Sequence, residues 1–232
     1  MAERTSIDTR EQILRVSSRL FTERGYRATS TRDIAEGVGI RQPSLFHHFS
    51  SKAEIMADLQ QVEFEPAVRI LDAARSLPGS ASARLFCALF LDFRRLLLLP
   101  YDLGATTTAE VLNEPALADQ RLVWDRLLAA QGTLITDGIA DGELLDLDAD
   151  FANRAVAWLI EGAYIDASRR EDIDPTEFAD QVASFSLRAL LVDGARCDRV
   201  RTEALGLVEE LEAAAHLSSE MCPSPPRADN QR

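Results

Sequence analysis

Residues 30 to 52 read S-T-R-D-I-A-E-G-V-G-I-R-Q-P-S-L-F-H-H-F-S-S-K, and this stretch constrains the fold more than any other. It holds two short helical periods separated by a glycine turn. Ser30, followed three residues later by Asp33, has the form of a capping box that starts a helix. Ile34, Ala35 and Val38 recur at helical spacing and give that helix an inner face. Gly39 tolerates the positive φ that a sharp turn demands. Pro43 suits the opening turn of a second helix, where an N–H has no intrahelical partner. Leu45 and Phe49, four residues apart, point inward. Gln42, Ser44, Phe46, His47 and His48 are left for the outer faces. Such an arrangement is a helix-turn-helix, whose second helix enters a major groove of DNA by its N-terminal end. Gln pairs bidentately with adenine, and Ser or an aromatic edge meets a thymine methyl. Arg32, in the first helix, suits a guanine or a phosphate, and Lys52, opening the next helix, suits a phosphate.

The resemblance to a known family is close at this point. Residues 9 to 56 resemble the DNA-binding domain of the TetR (tetracycline-repressor) family. The pieces that carry it are a first helix from Arg10 to Arg24, the R-G-Y turn at 24 to 26, T-S-T-R-D-I-A at 29 to 35, Gly39, and L-F-H-H-F-S-S-K at 45 to 52. The resemblance implies base contacts from Arg32, Gln42, Pro43 and Ser44, and backbone contacts from Thr31, His48 and Lys52. Two positions depart from the family pattern. Phe46 stands where a Tyr is usual, which removes a phenolic phosphate contact. Arg41 replaces a frequent Ser and leaves the second helix without an evident side-chain cap. Beyond residue 60 the likeness is one of length and helical character.

Net charge first argues against a nucleic-acid partner. The chain of 232 residues carries 25 Lys and Arg against 38 Asp and Glu, a formal charge of −13. The distribution resolves the conflict. Residues 1 to 60 hold nine basic and eight acidic side chains, a balance of +1, and the remainder holds sixteen and thirty, a balance of −14. The first segment is free to approach phosphate. Its modest basic excess predicts that affinity comes from pairing two heads and falls steeply with salt.

The rest of the sequence predicts an all-α fold. A long helix from Lys52 to Ala74 connects the head to the remainder of the chain, and L-P-G-S at 77 to 80 ends it. A buried helix runs from Ala83 to Leu99 and stops at Pro100. A short segment covers Leu103 to Leu112, and Pro115 opens a helix to Ala140. Asp148 caps a helix to Arg169. D-P-T-E-F at 174 to 178 is a helix start, with Asp174 as cap; that helix reaches Val192. A single amphipathic helix is expected over Arg196 to Leu217. Three prolines and few apolar residues mark 218 to 232 as a disordered tail. The expected domains are 1–51 for DNA binding and 52–217 for ligand binding and dimerisation, followed by the tail 218–232.

Two of these helices carry apolar stripes. Phe151, Ala155, Trp158, Gly162 and Ile165 form one; Phe178, Val182, Phe185, Ala189 and Val192 form the other. The resemblance implies a homodimer through helices at this place in the chain, and a two-fold pair of heads reads a palindrome on double-stranded DNA. The bland alternative is that both stripes face their own subunit's core. A pocket for a small-molecule effector is implied by the resemblance too, with Phe64, Phe90, Phe93, Tyr101, Trp124, Trp158 and Tyr164 as lining candidates. Asp92 and Arg94 interrupt the apolar run from Leu85 to Leu99, and a solvated side of the helix is the simplest account of them.

Other classes find little support. Cys87, Cys197 and Cys222 are unpatterned, which fits a reducing cytoplasm and no disulfide framework. The greasy run from Leu85 is broken by charge before the roughly 18 residues a membrane span needs. His47, His48 and His216 are the histidines, and Asp146, Asp148 and Asp150 lack the glycine and distal glutamate of a calcium loop, so no metal and no cofactor is expected. No nucleophile elbow or phosphate-binding glycine loop occurs, so the chain is not expected to be an enzyme. The sequence predicts a cytoplasmic, homodimeric transcriptional regulator, a repressor that a ligand releases from its operator. The alternative is a helical small-molecule-binding or interaction module whose head no longer reads DNA; the Phe46 departure, the weak basic balance and Gly37 inside a short helix are its support.

Overall fold

The structure, a computed structural model, describes residues 8–170 and 172–217. The expected tail 218–232 lies outside the described residues. The helices are α1 (Thr9–Arg24), α2 (Thr31–Val38), α3 (Gln42–His48), α4 (Lys52–Ala74), α5 (Ala81–Leu98), α6 (Ala109–Leu112), α7 (Ala118–Ala140), α8 (Ala149–Ala167), α9 (Pro175–Leu190), α10 (Cys197–Leu205) and α11 (Val208–Ala214). Among the described residues there is no strand, only an isolated bridge between Leu144 and Leu191. The all-α expectation holds. No helix among the described residues is long and apolar enough to cross a membrane.

The chain forms two compact units. The first takes residues up to Val68, Pro100–Ala129 and Glu161–Arg170; the second takes Arg69–Leu99, Ala130–Ile160 and the described residues after 171. In the first, α1 packs on α2 and α2 on α3. Ile13, Leu14, Phe21, Ile34, Leu45, Phe49, Ile55 and Leu59 are buried there. In the second, α5 is buried on nearly every side, against α9, α10 and α11. Each fully buried Leu or Phe in these cores contributes about 1.5–3 kcal/mol.

Local chemistry sets the helix ends. Ser80 accepts from Ala83 N and starts α5. Asp148 accepts from Phe151 N at 2.8 Å at the start of α8, a capping role for one of the three alternating aspartates. Asp174 accepts from Glu177 N at 2.8 Å ahead of Pro175.

Two expectations need correction. The single helix expected over 196–217 is two, α10 and α11, parted at Gly206 and Leu207. Glycine is the weakest helix former after proline, at about 1 kcal/mol below alanine, and Gly206 N is shared between the Thr202 and Glu203 carbonyls. Pro115 does open the helix that runs to Ala140, its first turn, Pro115–Leu117, being 3₁₀ and continuous with α7. The charges in α5 are not its solvated side. Arg95 has 1% of its side chain exposed and pairs with Asp92 at 2.9 Å, while Arg94 pairs with Glu212 of α11. A charge removed from water needs such a partner. Burial pushes the Asp92 carboxyl up, and Arg95 beside it pulls the other way.

Candidate nucleic-acid interface

The head is built by capping and close approach. Gly25, at φ 92, ends α1 with its N–H on Phe21 O at 2.9 Å. Tyr26 then sets its ring edge on Phe21, centroids 5.3 Å apart. Thr29 is buried, and its hydroxyl donates to Gly25 O at 2.9 Å. Ser30 and Asp33 complete the capping box: Asp33 N donates to Ser30 Oγ at 3.2 Å, and Ser30 N donates to Asp33 Oδ2 at 2.8 Å. Gly39 closes α2 in the left-handed region, φ 80. A non-glycine residue there costs roughly 1–2 kcal/mol. Arg41 precedes α3 in an extended conformation and supplies no side-chain cap, as its replacement of Ser implies. At the far end Glu54 accepts from Ser50 N at 2.6 Å and Ser51 Oγ accepts from Glu54 N at 3.1 Å, which caps α4.

The hydrogen bonds from Ser30 hold the Asp33 carboxyl below its ordinary value of 3.8. A depressed folded pKa contributes stability above the unfolded value and loses it as pH falls through the folded one. The stability gap between wild type and Asp33→Asn should therefore be full above about pH 4 and close as the pH falls below it. Unfolding midpoints of the two proteins across pH 2.5–7 check this; a gap that persists at the acid end would remove the box from the account.

Gly37 has a packing cause. A Cβ built there would meet Val16 Cγ1 of α1 at 2.7 Å, so a side chain at this position forces Val16 to shift. Gly37→Ala gains about 1 kcal/mol of helix propensity and meets an overpacking cost of typically 1–3 kcal/mol. A net loss of roughly 1 kcal/mol is expected, recovered in the double variant with Val16→Ala. Urea unfolding of the three proteins tests the pair.

The outer face is polar and aromatic. Leu45 and Phe49 are buried. Arg32, Arg41, Pro43 and His47 are exposed; Thr31, Gln42, Ser44 and His48 are half-buried. Phe46 is 46% exposed, a large share for an aromatic side chain on a short packed helix. Thr31 opens α2, Gln42 opens α3, and the Gln42 Nε2 donates to Thr31 Oγ1 at 2.8 Å. Lys52 is placed differently from the rest. Its Nζ donates to Tyr26 O at 2.6 Å and Thr29 O at 2.8 Å and stands 4.3 Å from the Tyr26 ring centroid. Burial lowers its pKa, against the pull of Glu110 and Glu114. Two of its three protons hold the turn before α2, which leaves one for a phosphate.

Sequence reasoning missed the segment that braces this head. Tyr101 donates its hydroxyl to Glu11 of α1. Asp102 N donates to Ser18 Oγ at 3.1 Å, and Arg27 N donates to Glu110 Oε1 at 2.9 Å. Tyr164 accepts from Leu103 N at 3.0 Å and donates to Tyr101 O at 3.1 Å. These pairs are 61 to 90 residues apart, and no local pattern signals them.

The lining candidates fall in both units. Phe64, Tyr101, Trp124 and Tyr164 belong to the first, where Phe64 and Trp124 have centroids 5.3 Å apart. Burial, the largest cause, pushes both tyrosine phenols up. Phe90, Phe93 and Trp158 belong to the second unit; Phe90 and Phe93 are buried, and Trp158 is 59% exposed. Of the stripe residues, Phe151, Trp158, Gly162, Phe185 and Ala189 are exposed, Ala155 is half-buried, Phe178 sits 6.0 Å from the Phe93 ring, and Val182 is buried.

The profile of the family described as bacterial regulatory proteins, tetR family, matches residues 13–59. The chain is 32% identical over 158 residues to the HTH-type transcriptional repressor KstR2 of Mycolicibacterium smegmatis, a match over 63% of this chain and 73% of that protein. Its fold is similar to that of AmtR of Mycobacterium smegmatis, at a TM-score of 0.71 and 27% identity over 89% of this chain and 98% of the other. It is similar as well to the ketosteroid transcriptional regulator KstR2 of Mycobacterium tuberculosis, at a TM-score of 0.65 and 22% identity, over 80% of this chain and 96% of that one.

Proposed function

The chain belongs to the tetR family of bacterial regulatory proteins, and we propose that it acts as a homodimer on a palindromic operator and leaves it when a small molecule binds. It is a DNA-binding transcriptional regulator and not an enzyme. The observation that carries the DNA-reading part of this proposal is the division of α3 into a buried and an outward face. Leu45 is buried in the head, Gln42, Pro43, Ser44, Phe46 and His47 stand on the other faces of α3, and the Gln42 amide is hydrogen-bonded to Thr31, the first residue of α2. We take residues 1–51 as the DNA-binding part and 52–217 as the part that holds effector and partner.

The exposed Phe151, Trp158, Phe185 and Val192 support a second copy as the partner, because large apolar side chains left in water mark an association surface. One head contacts few bases; two related by a two-fold axis read a half-site each. An effector that favours one spacing of the heads shifts the population between bound and released states. The ketosteroid regulator among the similar structures makes a ketosteroid the first probe to try.

A degenerate head is the competing reading, and Gly37 no longer favours it, since that glycine answers a close approach to Val16. The experiment is selection of genomic fragments by the purified protein at near-physiological salt, with the mass of the complex measured in parallel. Enrichment of a palindrome bound by two chains is the expected result. Binding that stays sequence-blind and vanishes with added salt would sink the regulator model in favour of the degenerate head.

A further inference from the structure

Gln42 and Thr31 are the first residues of consecutive helices, and their side chains are joined: Gln42 Nε2 donates to Thr31 Oγ1 at 2.8 Å. Hydrogen counting gives this bond a consequence for base reading. A carboxamide has two N–H donors and one carbonyl acceptor. With Nε2 turned to Thr31, one N–H and the Oε1 remain. That pair complements adenine, which offers an acceptor at N7 and a donor at N6. Were the amide turned over, Oε1 would accept from the Thr31 hydroxyl, and two N–H donors would remain. Those match guanine, whose N7 and O6 both accept. The base that Gln42 reads thus depends on which way its amide faces, and a threonine hydroxyl, as donor and acceptor, tolerates both.

A phosphate removes that freedom. The Thr31 hydroxyl has one proton. Once it is donated to a phosphate oxygen, Thr31 Oγ1 can only accept, and Gln42 must present Nε2 to it. We propose that Thr31 is a positioning residue for base recognition: its hydroxyl links a backbone phosphate to the Gln42 amide and fixes that amide to read adenine. No covalent step is involved; the bond already formed in the free protein is the one kept on DNA. The proposal rests on the DNA-reading function above. It adds a role to a residue otherwise assigned only to the phosphate, and a reason why backbone and base contacts act together.

The test begins with the operator selected by the wild-type chain. The position read by Gln42 is the one whose preference collapses in Gln42→Ala. Affinity is then measured at fixed salt for operators carrying each base there. Wild type should favour adenine over guanine by about tenfold or more. Thr31→Val keeps the branched shape and loses the hydroxyl; its preference should fall to within about twofold, with unfolding midpoint and dimer mass unchanged. Thr31→Ser keeps the hydroxyl and should keep the preference. An adenine preference that survives in Thr31→Val overturns the proposal, and so does its loss in Thr31→Ser. Should Thr31→Val fail to fold, the wild-type preference still decides: guanine at that position overturns the proposal, adenine retained by Thr31→Ser supports it. A wild-type protein that selects no sequence at all removes the regulator reading first, and this proposal with it.

Discussion

Replacing Arg32 and Gln42 together by alanine is expected to weaken operator binding about a thousandfold while fold and dimer persist. The size comes from counting contacts. A well-formed bidentate base contact contributes about 1–3 kcal/mol of discrimination. In the proposed dimer two such contacts are expected in each of two heads. Even at about 1 kcal/mol each they total roughly 4 kcal/mol, or about three powers of ten in the dissociation constant. The fold should tolerate the change. Arg32 is exposed, and the Gln42 amide is spent on a bond to Thr31 at the surface of the head rather than on its core. Binding to unrelated DNA should fall less, because it depends on phosphate neutralisation, to which Gln42 brings no charge and Arg32 only one in each head. Fluorescence anisotropy with operator and scrambled duplexes at one salt concentration separates the two effects. Equal loss on both duplexes would mean that these side chains hold phosphate and that another surface reads the bases.

Much of this head is legible in the sequence because its signals are local. The pair Ser30 and Asp33, the glycine at 39 and the proline at 43 each act within one turn of chain, so spacing alone places them. Helix α4 begins and ends where its sequence predicts, at Lys52 and Ala74. The position of Lys52 suggests a phosphate contact but not its link to Tyr26 O and Thr29 O, since nothing near it in sequence names those carbonyls. The same holds for Tyr101 with Glu11 and Glu110 with Arg27. Arg95 shows a different limit. Helical periodicity places it on a face, but only tertiary packing decides that α5 has almost no solvated face to offer. Gly37 looks like a weakness of a short helix because propensity is a property of one helix, whereas the contact with Val16 belongs to two.

The second large effect concerns association. In the double variant Trp158→Arg with Phe185→Arg the chain should be monomeric at micromolar concentration, and operator binding should fall by orders of magnitude although the head is untouched. Trp158 is 59% exposed and Phe185 65% exposed in the single chain, so their replacement removes little from its own core. In a two-fold interface each substitution occurs twice. Truncating a central aromatic costs about 2 kcal/mol or more, so four such losses reach roughly 8 kcal/mol, or nearly six powers of ten in the dimer dissociation constant. Four arginines brought onto one surface add repulsion and desolvation to that loss. Analytical ultracentrifugation reads the mass, and circular dichroism confirms that the helices remain. Stability measured by heat should fall and become independent of protein concentration, because a dimer draws part of its stability from association. A variant that stays dimeric would show that the partner copy docks elsewhere, leaving Trp158 and Phe185 exposed for another protein. A monomer that still binds operator with wild-type affinity would overturn the paired-head mechanism itself, since a lone head with so slight a basic excess has too few contacts to account for it.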